Sequence, residues 1–289
     1  MAYLLVLLKT LMGNAVTALS KNYSQRTCQI PGAKLIYVLG AHSFAAVFQF
    51  VLAGGSVSLD KLTLMFAAIY GLNCVMSSLV GLLAFEKTTL VYRMLFSGAG
   101  ALMVPFVFDL LQGVQFGVGK YLAVFLRLMT VLIPLLFTRQ KFGNLPTCLA
   151  LFLLGGSGTV ILRLLAQYCG ASAGYSFCFW TNLLTLPFVA VVAVGKRGFV
   201  ELKQDIGQIK PILYLFLFVQ TALNNAISLL NIYLLTVVDA TTYSLMSAAV
   251  GVVITTTMSV WIYKEKMTKQ ALLCLILSLL AIIAGVIPI

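Results

Sequence analysis

The sequence predicts an all-α integral membrane protein of ten transmembrane helices, built as two inverted five-helix repeats, and three observations carry that expectation. The 289 residues are 61% hydrophobic and 9% charged, with a mean hydropathy of +1.05, too few polar groups to cover a water-soluble body of that length. Apolar stretches of about 20 residues, each enough for a helix to cross the hydrocarbon core, recur ten times along the chain. A segment of the first half also returns, in register, in the second.

The apolar stretches fall at residues 2–20, 35–54, 62–84, 88–108, 116–137, 146–168, 172–194, 211–235, 240–262 and 270–288. The first lacks a small-residue cleavage site and carries Lys9 and Asn14 inside it, so it reads as a retained span and not a removed signal peptide. The fourth and ninth open on Glu86 with Thr88-Thr89 and on Asp239 with Thr241-Thr242. An acid there meets the positive end of the helix dipole, and a side-chain oxygen can cap free amides. Gly195 to Lys210, the longest stretch outside the spans, reads as a linker. The cysteines, Cys28, Cys74, Cys148, Cys169, Cys178 and Cys274, form no CxxC pair and mostly lie in spans. They read as small apolar packers, with neither a disulfide framework nor a metal site expected.

The internal repeat emerges when the chain is shifted by 153 positions, which lays Glu86–Gly117 over Asp239–Gln270 without a gap. Glu86 meets Asp239, the two threonine pairs coincide, Gly98 meets Gly251 and Gln112 meets Glu265. The expected division is residues 1–140 and 141–289. Five spans per half is an odd number, so the second half enters the membrane upside down relative to the first. Inverted halves are a recurring transporter design that holds substrate near the bilayer midplane.

A net charge of +12 could point to nucleic acid, but the cations form no stripe with interleaved aromatics. They report orientation instead. Lys21, Arg26, Lys34, Lys87, Arg139, Lys141, Lys196, Arg197, Lys203, Lys210, Lys264, Lys266 and Lys269 all follow odd-numbered spans, against Lys61 and Lys120 after even-numbered ones. The positive-inside rule then places both termini outside.

Polar residues three or four apart share a helix face, and within a membrane that face should meet protein or water. Thr10, Asn14, Thr17 and Lys21 align on the first span; Tyr70, Asn73, Ser77 and Gly81 on the third; Gln220, Asn224, Ser228 and Asn231 on the eighth; Ser244, Ser247, Gly251 and Thr255 on the ninth. Such stripes suit either close helix packing or the lining of a polar cavity. The tenth span has only Gln270, Cys274 and Ser278, which fits a peripheral position. Arg93 lies about one turn into the fourth span with Ser97 on its face. An arginine there costs roughly 2.5–3.5 kcal/mol, so it calls for an aqueous cavity or a partner. Lys9 and Arg163 pose the same question, whereas Arg127 in the fifth span reads as a dimer contact or a lipid-headgroup ligand. Intramembrane cations outnumber deep acids, which favours a carboxylate, phosphate or zwitterion as ligand. His42 is the only histidine, and with Asp109 and Glu86 it is a candidate for ion coupling. Trp180 beside Phe179 could wall a bound ring or quaternary ammonium.

Three features together, the five-plus-five layout, Met12-Gly13-Asn14 with Lys21 in the first span, and the Ala240–Gly285 run with its Tyr-Lys-Glu-Lys turn at 263–266, resemble the ten-helix, EamA-like branch of the drug/metabolite transporter superfamily. Pro105 matches the family's proline in the fourth helix, while Met258 replaces it in the ninth. Two features depart from the family: members commonly keep both termini in the cytoplasm, and their peripheral fifth helix carries few charges, unlike Arg127. The resemblance implies a secondary transporter in a bacterial cytoplasmic membrane. It would move a small polar organic metabolite outward by alternating access. Asn14, Thr17, Tyr70, Ser77, Arg93, Ser97, Trp180, Gln220, Asn224 and Ser247 are the expected substrate residues. A homodimer through the fifth and tenth helices is the expected assembly, with membrane lipid as the other partner and no cofactor or metal. The competing readings are a lipid-headgroup flippase or lipid-handling subunit, and a carrier of cationic amines or drugs. An intramembrane enzyme is disfavoured, because the chain has no HExxH motif, no paired deep aspartates and no GxSxG turn.

Overall fold

A computed structural model describes residues 2–87, 90–137, 145–170, 173–237, 240–264 and 269–286. Thr88-Thr89, Asp239 and the 265–268 turn lie outside the described residues, as do the side chains of Glu86 and Thr242. Among the described residues no strand occurs. This is what a bilayer demands, because a helix satisfies its backbone N–H and C=O groups within itself. The helices are α1 (Ala2–Arg26), α2 (Ala33–Leu52), α3 (Lys61–Lys87), α4 (Leu90–Leu111), α5 (Val118–Phe137), α6 (Leu145–Cys169), α7 (Gly174–Arg197), α8 (Phe199–Gln208), α9 (Pro211–Val237), α10 (Ala240–Trp261) and α11 (Lys269–Val286). α1, α2, α3, α6, α7 and α9 are long and apolar enough to cross a membrane, and α4 and α11 carry shorter apolar runs. The protein is an all-α integral membrane protein.

Local chemistry sets several boundaries. Asp60 caps α3, its carboxylate accepting from the Thr63 N–H at 2.9 Å and the Thr63 hydroxyl at 3.0 Å. Gly113, at φ +80°, turns the chain after α4, and Gly198, at φ +76°, separates α7 from α8. The expected linker at 195–210 therefore contains a helix. Its sequence, FVELKQDIGQ, alternates apolar and polar residues at a helical period, and Leu202 and Asp205 turn inward. A helix of ten residues with so few apolar groups cannot span, so it left no mark among the apolar stretches.

Two compact units make up the chain, each drawing on both sequence halves. The first comprises Met1–Asn14, Lys87–Val160 and Val237–Ile289, and the second Ala15–Glu86 and Ile161–Thr236. Compactness and the expected repeat thus divide the chain differently.

In the first unit α5 packs along α11, α10 lies on α4 and α11, and α4 on α5. Leu102, Phe106, Ala123, Val124, Leu245 and Ala284 form one apolar core, and Phe96, Ala99, Val131 and Cys148, with Phe152 against them, another. Small residues bring α4 and α6 together. A Cβ at Gly155 would lie 2.5 Å from the Ser97 carbonyl oxygen, and one at Gly100 would overlap the Phe152 carbonyl. In the second unit α2 runs along α7, and α8 packs on both. Gly40 admits Leu217, where a Cβ would come within 2.6 Å of the leucine, and Gly71 admits Thr181 and Thr185.

Candidate functional site

Each unit holds its own intramembrane polar cluster. In the first, α1 and α10 supply it. Lys9 Nζ donates to Ser247 Oγ at 3.4 Å and lies 4.8 Å from the centre of the Tyr243 ring. Farther along α1, Asn14 Nδ2 donates to its own helix at the Thr10 carbonyl (2.8 Å), which leaves Asn14 Oδ1 to accept from Thr255 Oγ1 at 2.5 Å. Ser247 and Thr255 are eight residues apart with Gly251 midway, so the face expected from sequence on this span is the one that meets α1. The structure thus joins Asn14 and Ser247 of the expected substrate set to Lys9, Tyr243 and Thr255. Tyr243 had no distinguishing signal in the sequence, since its role depends on the cation beside it.

Lys9 is half-buried, and among the described residues its contacts are a hydroxyl and an aromatic face, with no carboxylate. A cation so placed within a membrane-spanning helix keeps donor capacity and field for an anionic group. The same unit buries Asp109 at the end of α4, where it accepts from Thr241 Oγ1 at 2.5 Å. Arg93 and Ser97 are half-buried on α4.

Arg127 requires a correction. It faces neither lipid nor a dimer partner: it is 1% exposed, inside the first unit, and Nη1 donates to Ser278 Oγ at 2.5 Å. Gly98 on α4 makes the room, because a Cβ there would overlap the guanidinium. Nε and Nη2 have no hydrogen-bond partner among the described residues. Ser278 on α11, a mild polar group by sequence, is fully buried because it receives this arginine.

In the second unit one polar cluster is built from amides, an imidazole, the Tyr37 phenol and the Ser20 hydroxyl. His42 Nδ1 lies 2.8 Å from Asn182 Oδ1, and Asn182 Nδ2 donates to the Cys178 carbonyl at 2.7 Å. With the amide nitrogen so occupied, Asn182 offers His42 an acceptor, and Nδ1 carries the proton. Two turns along α2, Gln49 Nε2 donates to Asn225 Oδ1 at 2.6 Å, and Gln220 donates to the Tyr37 hydroxyl, which also bonds Ser20 at 3.0 Å. The carbonyl oxygens of Gln49 and Gln220 are buried without a partner among the described residues. Gln220 is therefore in the cluster, whereas Asn224 is exposed and its neighbour Asn225 takes the inward position. Two consecutive asparagines sit about 100° apart on a helix, and only packing distinguishes them.

The other expected residues disperse. Thr17 is half-buried on α1, the Tyr70 ring packs on Phe177 at 5.3 Å, and Ser77 donates to Asn73 at 3.4 Å. Trp180 donates from Nε1 to the Ser58 carbonyl at 2.9 Å, tying down the chain between α2 and α3 together with the Ser58–Ser176 hydroxyl bond at 2.9 Å. Arg163 Nη1 donates at 2.7 Å to the Leu235 carbonyl in the last turn of α9, a favourable place for a cation.

No protein-family model matches the chain, and no curated protein does. Among solved structures, one described only as a crystal structure of a protein superimposes with a TM-score of 0.63 at 14% identity, over 96% of each chain. At that identity the likeness is one of fold along nearly the whole length.

Proposed function

We propose that the protein is a secondary transporter of the drug/metabolite type. It carries a small organic solute with a carboxylate or phosphate group through the membrane by alternating access. The observation that carries this reading is Lys9, an intramembrane cation whose contacts among the described residues are the Ser247 hydroxyl and the Tyr243 ring. A purely structural cation in that setting would gain by pairing with an acid, and a hydroxyl and a ring leave its charge available to a ligand.

The inverted repeat is part of the proposal. With α8 set aside, helix lengths run 25, 20, 27, 22 and 20 residues for α1–α5 and 25, 24, 27, 22 and 18 for α6, α7, α9, α10 and α11. Equivalent helices of the two series pack on each other within the units: α2 on α7, α4 on α10, α5 on α11. Ten spans in two inverted halves account for both facts, and for basic residues gathered after odd-numbered spans.

The test is thermal stabilisation of the purified protein by amino acids, organic acids, phosphorylated acids, nucleosides and amines, run in parallel on wild type, Lys9→Met and Arg93→Ala. An anionic compound that raises the melting temperature of wild type and fails on Lys9→Met is expected. Stabilisation by amines alone would turn the reading toward cationic solutes, and silence across the panel would favour lipid-headgroup handling.

A further inference from the structure

We propose that α8 is an interfacial helix that binds anionic phospholipid, with Phe199 and Ile206 in the acyl boundary and Lys196, Lys203 and Lys210 on headgroup phosphates. This is independent of the transport reading.

Connectivity places α8 at the membrane surface. It joins α7, which ends at Arg197, to α9, which begins at Pro211, and both are long enough and apolar enough to span. At 1.5 Å per residue the ten-residue helix extends about 15 Å, and it is held against the ends of its neighbours. Asp205, 3% exposed, accepts from the Gly32 N–H at 3.1 Å and from Arg197 Nε and Nη2 at 3.1 and 3.3 Å. The Tyr214 hydroxyl donates to the Ile206 carbonyl at 3.0 Å. These bonds fix the roll of the helix about its axis.

With that roll fixed, Leu202 and Ile209, seven residues apart, face the protein, while Phe199 and Ile206, also seven apart, are turned outward. Phe199 is 73% exposed, an unfavourable position for a phenylalanine in water and a favourable one beside lipid. Charge selects the lipid. Both acids of the segment are taken by Arg197: Asp205 as above and Glu201 at 3.3 Å. Lys196, Lys203 and Lys210 are exposed beside the outward apolar face. Lys203 follows Phe199 by one turn, where its stem can lie along the acyl boundary and its ammonium reach the phosphates.

The full chain in nanodiscs, with phosphatidylglycerol or phosphatidylcholine added in turn and binding counted by native mass spectrometry, supplies the test. A surface lysine contributes a factor of roughly five in affinity for an anionic surface. Phosphatidylglycerol is therefore expected to bind wild type on the order of 100 times more tightly than phosphatidylcholine, with K196Q/K203Q/K210Q abolishing that preference and K61Q preserving it. A second readout places Trp at Phe199: brominated phosphatidylglycerol should quench the added emission, more strongly than brominated phosphatidylcholine at equal mole fraction. Equal affinities for the two lipids in wild type, an undiminished preference in the triple variant, or no quenching at position 199 would each overturn the proposal.

Discussion

Replacing Arg127 with methionine should make the protein more stable. In wild type the guanidinium is fully enclosed by α4, α5 and α11, with one hydrogen bond, to Ser278, and two nitrogens without partners among the described residues. Placing arginine at the centre of a membrane helix costs about 2.5–3.5 kcal/mol, and an interhelical hydrogen bond in a membrane returns about 0.6 and at most about 1.7 kcal/mol. The balance favours an apolar side chain of similar length by about 1–3 kcal/mol. The reference state is the inserted but unpacked helix, where arginine snorkels to the interface; enclosure in the packed first unit removes that escape, and the insertion cost sets the scale of what is lost. Methionine, unbranched, follows the arginine stem with little strain. Thermal unfolding followed by the emission of Trp180 and Trp261 should show R127M melting above wild type by a few degrees. R127A should fall below R127M by about 2–4 kcal/mol, because it leaves a void. An R127M protein that melts below wild type would refute the reasoning and mean that the guanidinium is compensated within the first unit. An R127M protein that is more stable but inactive would show that the arginine serves function at a cost in stability.

Asp205→Ala should release α8: it strips an acceptor from Gly32 and Arg197, and since the Arg197 side chain is 28% exposed, the loss should be about 1–3 kcal/mol. Limited proteolysis between Gly198 and Lys210 should quicken markedly, Asp205→Asn should lie between the two, and unchanged cleavage would contradict the clamp. Asp60 gives a pH dependence: the Thr63 N–H, then the Thr63 hydroxyl, hold its carboxyl below the ordinary 3.8. Its folded pKa is depressed, so its contribution is present above 3.8 and is lost as pH falls through the lower folded value. Amide protection in the first turn of α3 should fall in that acid window for wild type and stay level in Asp60→Asn; parallel curves would remove the cap from the account.

The sequence alone determined that this chain lives in a bilayer and where its long helices run. Hydrophobic stretches of spanning length are a one-dimensional signal, and the bilayer forces each to be a helix whatever packs beside it. The α10 face of Ser247, Gly251 and Thr255 was legible for the same reason, since helical periodicity is local. Tertiary structure alone decided what those faces meet: Lys9 at Ser247 and Tyr243, Thr255 at Asn14, Asn225 rather than Asn224 turned inward, and Arg127 enclosed by residues that follow it by 151 positions or precede it by 29. α8 left no mark among the apolar stretches because it is short and polar, and only tertiary structure showed its anchorage, Asp205 bonding across to Gly32, 173 positions away. A pattern along one helix says which side is polar, and the partner on that side is supplied by a segment far off in sequence, whose position only packing sets.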